Sequence, residues 1–155
     1  MIKIERFNSG QVVPASVPFP EGVRVGAMLY LSGQLGNVPG QLRLVDGGLR
    51  AEARQTLQNI RAILRAQGLD LQHLVRCTVM LVDMADWPAF NEVYREFFGD
   101  TPLPARSALG CNGLALGARV EIECIAGHNV LALSRHMSWN TRSYVFGPIL
   151  PLAGS

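Results

Sequence analysis

Arg106 and the pair Glu121 and Glu123 are the residues of this chain whose types and spacing most readily suggest chemistry. They lie in two segments that read as β-strands, residues 105–111 and 119–126, where successive side chains point to opposite faces. By that period Arg106 and Ala108 share one face and Ser107 takes the other. Glu121 and Glu123 stand opposite the apolar Val120, Ile122 and Cys124. An arginine suits a small carboxylate, because its planar fork bonds both oxygens while it stays charged. A glutamate nearby can orient a water or accept its proton. The Ser32-Gly33-Gln34 step adds a hydroxyl and an amide at a strand end, and glycine there lets a ligand approach the backbone. Asn91 lies on a helix, one position past the apolar Phe90. A plainer arrangement uses the same residues: solvated glutamates with Arg106 balancing their charge.

The elements that must position these groups can be read from periodicity. Residues 2–7 alternate apolar and polar as a half-buried strand does. Residues 23–35 are rich in β-formers and carry Gly26 at a hairpin or bulge position. A glycine-rich connection follows, with a turn signal at Asp46-Gly47. Helical spacing begins at about Ala51, with Ala53, Leu57, Ile60 and Leu64 on one face and Arg54, Arg61 and Arg65 on another. Gly68 sits where a left-handed residue would stop that helix. Residues 75–82 read as a central strand, nearly continuous in apolar residues. A second helix is expected from about Asp86 to Phe98, with Asp86 as N-cap, Pro88 in the first turn, and Phe90, Tyr94 and Phe97 on its apolar face. The order β-β-α-β-α-β-β favours an α+β domain, a mixed six-stranded sheet with two helices on one face. The other face then needs a partner. Residues 129–155 have no sustained period and are expected to form a C-terminal extension to a domain of residues 1–128.

Composition removes several function classes. The chain has 155 residues, 48% of them hydrophobic, which is enough to bury one core without metal or disulfide staples. Fourteen basic and twelve acidic residues leave +2, too little for a nucleic-acid footprint. Lys3 is the only lysine, so there is neither a GK[ST] phosphate loop nor a Schiff-base lysine in the body of the chain. Cys77, Cys111 and Cys124 form no C-x-x-C pair, and His73, His128 and His136 fall at no metal-ligand spacing, so no metal is expected. With no apolar leader and no run long enough to span a membrane, a cytoplasmic protein that binds neither membrane nor nucleic acid is expected. Only 17% of residues are charged, which suits a chain that covers part of its surface with another copy.

Four stretches together resemble the RidA/YjgF family, the reactive-intermediate deaminases once called the L-PSP endoribonuclease family. They are GVRVG…LYLSGQLG, ARQTLQNIRAILRAQGLDLQHLVRCTVMLVDM, FNEVYREFF and PARSALG…GARVEIECIA, and they cover about residues 14–128. P-A-R-S followed at this distance by V-E-I-E-C-I-A is the most specific match. The resemblance implies a chorismate-mutase-like fold assembled as a homotrimer, with ligand clefts between subunits. It implies hydrolysis of small 2-imino acids, derived from enamines such as 2-aminoacrylate, to 2-keto acids and ammonia, without a cofactor. In that scheme Arg106 holds the substrate carboxylate and Glu121 orients or activates water. Ser32 and Gly33 line the same cleft, and Asn91 supports it. The chain departs from the family at three places. The family's G-P-Y-S-Q reads Val17-Pro18-Phe19-Pro20-Glu21, so Phe19 replaces a tyrosine. Ala108 replaces a common cysteine, and Ala115 a proline. The fold also hosts members that bind small ligands without catalysis, and the presence of Arg106 favours the enzyme.

Overall fold

Buried and open residues alternate along the strands, and this alternation gives the sheet one covered face and one open face. The computed structural model describes residues 1–128; the extension expected over residues 129–155 lies outside the described residues. The strands are β1 (Ile4–Phe7), β2 (Gly22–Val25), β3 (Met28–Gln34), β4 (Leu74–Leu81), β5 (Ala105–Gly110) and β6 (Val120–Gly127), and the helices are α1 (Gly48–Ala66) and α2 (Trp87–Phe98). They form a six-stranded mixed sheet of order β1-β2-β3-β6-β4-β5. Only β4 and β5 run parallel. A parallel pair needs a crossover, and α2 supplies it.

The core lies between the helices and one sheet face. Ala53, Leu57, Ile60 and Leu64 of α1, no more than 1% exposed, meet Leu29, Val79, Leu81 and Ile122 of the sheet. Each leucine, isoleucine or valine here contributes about 1.5–3 kcal/mol when taken from water, and Ala53 less. Gly68 has φ +75, and its N–H bonds to Arg65 O at 3.0 Å, closing α1 as its position predicts. Buried polar residues fasten the loops. Asn59 on α1 donates to Leu35 O and Asn37 O, each at 3.0 Å. Glu52 accepts the Arg119 N–H at 2.8 Å and so fixes the entry to β6.

Two element starts and one cap differ notably from the sequence reading, and the later strands shift by a residue. The first strand begins at Ile4, and α1 begins at Gly48, ahead of Ala51. Gly47 and Gly48 enter that helix with φ of 113 and 70, so glycine geometry takes the place of a side-chain cap. Asp86 flanks α2 but does not cap it. Its carboxylate accepts from Arg119 Nη2 at 2.7 Å and Nε at 3.1 Å, and that charged pairing takes the acceptor away from the helix.

Asp70 joins α1 to β4. It caps the short turn Leu71–His73 and accepts from both Arg61 and Arg65. Burial works to raise its carboxyl, but the hydrogen bonds from Arg61, the Leu71 N–H and Arg65 outweigh it and hold the pKa down at about 2. A depressed carboxylate pKa stabilises the fold above the ordinary value near 3.8, and that stabilisation disappears as pH falls towards 2. Asp70→Ala should therefore cost about 1 kcal/mol at neutral pH, as a lost cap does. Urea melts should show the gap from the native chain closing between about pH 4 and pH 2.

Candidate active site

β5 is an edge strand, and its register on β4 decides where Arg106 points. Arg106 pairs with Cys77 and Ala108 with Val79, both of which face the helices. The guanidinium thus lies on the covered side, at the rim of α2. There Nη2 donates to Asn91 Oδ1 at 2.7 Å. Trp87, Phe90 and Tyr94 surround it, with ring centroids 4.8, 5.6 and 4.4 Å from Cζ. Three rings at these distances hold a cation in place by their quadrupoles and deny it other anchors. Nη1 is buried and has no hydrogen-bond partner among the described residues. A buried guanidinium nitrogen left unbonded is costly, so this donor calls for an acceptor from outside those residues. Burial pushes the Tyr94 phenol far up, so it stays neutral beside the cation. Ala108 shares this face and packs against the core.

Glu121 lies on the other face. It is half-buried, whereas its neighbours Val120 and Ile122 are wholly buried on the helix side. The strand register shifts between Leu31 and Gln34, where β3 carries one residue more than β6. Such a bulge re-aims side chains. Here it turns Gly33 to the glutamate face, and a Cβ on Gly33 would stand 1.8 Å from Glu121 Oε1. Glycine is what lets the carboxylate lie against the strand. Ser32, beside it, donates through Oγ to Pro20 O at 2.7 Å, and its N–H bonds to Glu21 O at 2.9 Å. These bonds bring the Phe19 segment alongside, so Phe19 and Gly33 line one cavity. The Glu121 carboxyl is raised, first by burial and then by the nearby Glu123.

The structure therefore forms two groups. Arg106, Asn91 and Ala108 belong to the covered side near the β5 edge. Ser32, Gly33, Phe19 and Glu121 belong to the open side and the adjoining loops. Within one copy the sheet separates them, and Arg106 forms no ion pair with either glutamate among the described residues. The charge-balancing arrangement is thus not what Arg106 does within one copy. The aromatic box of Trp87, Phe90 and Tyr94 was missed in the sequence. Its signal was there: an arginine one strand away from a helix whose apolar face is made of rings.

A sheet of this order with both helices on one face is the α+β architecture expected from the sequence. The chain belongs to the family described as endoribonuclease L-PSP, the RidA/YjgF family, whose model matches residues 10–128. It is 43% identical over 124 residues to the 2-iminobutanoate/2-iminopropanoate deaminase of Capra hircus, covering 79% of this chain and 90% of that one. RidA from an Antarctic Psychrobacter is similar in structure, with TM-score 0.74 and 35% identity over 80% of this chain and 99% of that one. So is E. coli TdcF with bound serine, with TM-score 0.73 and 31% identity over 80% of this chain and 98% of that one.

Glu121 should titrate above an ordinary glutamate, and Glu123→Gln should move it down, because the like charge is removed while burial stays. Carboxyl-carbon NMR titration of the native chain and the variant checks this. An unchanged Glu121 midpoint in Glu123→Gln would show that burial alone sets it.

Proposed function

We propose that this chain hydrolyses 2-imino acids to 2-keto acids and ammonia in clefts shared between copies of a homotrimer. The observation that carries the reading is Arg106, boxed by three rings, bonded to Asn91, and left with one buried guanidinium nitrogen that no described residue bonds. Its fork takes the substrate carboxylate. A water held by Glu121 attacks the imine carbon, and Glu121 accepts the proton as the C–O bond forms. The resulting carbinolamine collapses when Glu121 returns that proton to nitrogen. The C–N bond breaks as the hydroxyl proton passes to Glu121, ammonia leaves and takes that proton away as ammonium, and the carbonyl remains. Protonated imine plus water gives ketone plus ammonium, so the sequence balances with no further co-reactant. A raised Glu121 pKa strengthens it as a base. A protonated imine is already electrophilic, so holding it beside the water supplies most of what catalysis needs.

A shared cleft follows from the separation of the two groups. The β5 edge, with exposed Leu103 and Leu109, and the open sheet face, with exposed Tyr30 and Val75, each present apolar surface that a symmetric copy can cover. Joining them sets the Arg106 of one copy opposite the Glu121 of the next. The resemblance to the family is what sets the number at three. The arginines of α1 point away from RNA chemistry, since Arg50 pairs with Glu92, Arg54 with Glu96, and Arg61 and Arg65 with Asp70. A surface so compensated has little attraction for a phosphate backbone.

Coupling the protein to a dehydratase that releases 2-aminoacrylate or its homologue, and following keto-acid appearance, tests the activity. Arg106→Lys should lose at least tenfold in kcat/KM, because the ammonium keeps the charge but not the fork. Glu121→Gln should lose about 100-fold in kcat, the scale of a missing general base. No acceleration by the native chain, with these imines or with those derived from leucine and phenylalanine, would end the deaminase reading. Light scattering should give a mass close to three times 16.9 kDa, and a fully active monomer would overturn the shared cleft.

A further inference from the structure

An open cavity of about 190 Å³ is lined on one side by Gly33, the residue against which Glu121 packs. Val13, Val17, Phe19, Leu42 and Leu116 form its walls. Phe19, Leu42 and Leu116 are each about half exposed, at 48%, 54% and 48%, so three large apolar side chains stand around one opening. Polar atoms are withheld from it. The Asn37 amide donates to Val12 O, Val38 O and Gln41 O, and the Gln34 amide donates to Ser32 O while its Oε1 stays buried without a partner among the described residues. Leu116 is the one non-glycine residue among those described with positive φ, at φ 60 and ψ 9. A leucine in that region is strained, and strain of this kind collects where the surroundings fix a side chain for use.

We propose that this cavity is the side-chain subsite of the reaction and that it selects 2-imino acids with branched aliphatic or benzyl side chains over those with methyl or ethyl. The inference rests on the imine-hydrolase reading and names the substrate class within it. Size decides the class. An apolar cavity of about 150 Å³ takes a benzene ring, so one of about 190 Å³ holds an isobutyl or phenyl group. A methyl or ethyl group would leave most of it unfilled. Position decides the role: Gly33 lines the cavity, and Glu121 Oε1 occupies the place of its missing Cβ. A substrate whose reacting carbon faces Glu121 has its side chain directed past Gly33 into the apolar walls. Phe19 contributes a ring face here, where a tyrosine would bring a hydroxyl to the rim.

The test compares imines made in situ by an L-amino-acid oxidase from alanine, leucine and phenylalanine. The kcat/KM for the leucine and phenylalanine imines should exceed that for the alanine imine by tenfold or more, since each buried methylene discriminates by about ten to 200-fold. Val17→Phe, which fills the cavity from a loop, should lower that ratio at least tenfold, and Leu116→Trp serves as a second filling variant should the first fold poorly. A ratio near one in the native chain, or a ratio that neither variant moves, overturns the subsite. Calorimetry with the product analogues pyruvate, 4-methyl-2-oxopentanoate and phenylpyruvate separates the two claims. If no imine is turned over, yet the larger keto acids bind more tightly than pyruvate and lose that advantage in Val17→Phe, the hydrolase reading fails and the subsite stands. If alanine imine is hydrolysed but the larger keto acids bind no better than pyruvate, the subsite fails and the hydrolase stands.

Discussion

Because successive residues of a strand face opposite sides, and because α1 and α2 cover only one of them, the sheet separates the groups that the chemistry needs. Arg106 follows Cys77 onto the covered side, and Glu121 follows Met80 onto the open side. No rotamer change carries either through the sheet. The arginine is rigid where it is, since aromatic faces and Asn91 confine it. The glutamate is confined too, against a glycine that leaves space for it. For the reaction proposed, two groups held on opposite faces make assembly a requirement, because within one copy the sheet keeps Arg106 and Glu121 apart.

The covered side beneath Arg106 is itself unusual for a core. Cys77 and Cys124 face each other across β4 and β6 with their sulfurs 3.2 Å apart. The hydrogen bond from Cys124 lowers the Cys77 thiol, burial opposes that, and the charge of Arg106 adds to the lowering. Cys124 is pushed the other way by the same partner and by burial. Soft sulfur thus lies where a hard anion would compete for the guanidinium. A carboxylate here would neutralise Arg106 internally, and the arginine would have no reason to seek an external one.

Periodicity revealed the elements because they obey local rules. The Leu57, Ile60 and Leu64 spacing, the stop at Gly68, and the shared faces of Arg106 with Ala108 and of Glu121 with Glu123 all depend on a few adjacent residues. What could not be read depends on contacts between distant ones. Period 2 states how Arg106 stands relative to Ser107, but not which side of the sheet that is. The register of β5 on β4 settles it, across the crossover through α2. The one-residue bulge in β3 leaves no mark in composition, yet it turns Gly33 towards Glu121. Asp86 looked like a cap by type, and only the distant Arg119 explains why its carboxylate is engaged elsewhere.

Position 21 shows how a departure from the family pattern can be absorbed by its surroundings. The family's glutamine is Glu21 here, wholly buried, and what surrounds it is a set of donors. Ser9 donates from both its N–H and its Oγ, and Val13 donates from its N–H at 3.1 Å. An ionised carboxylate offers acceptors on both oxygens, whereas a glutamine would turn an NH₂ towards one of these donors. Asn8 then accepts the Glu21 N–H at 2.8 Å, so the chain from Asn8 to Val13 is tied to the segment that carries Phe19. Val13 is also a wall of the cavity next to Glu121. The Glu21 side chain therefore acts at a distance through its hydrogen bonds: it fixes the loop whose valine and whose neighbouring phenylalanine shape the space a side chain would enter.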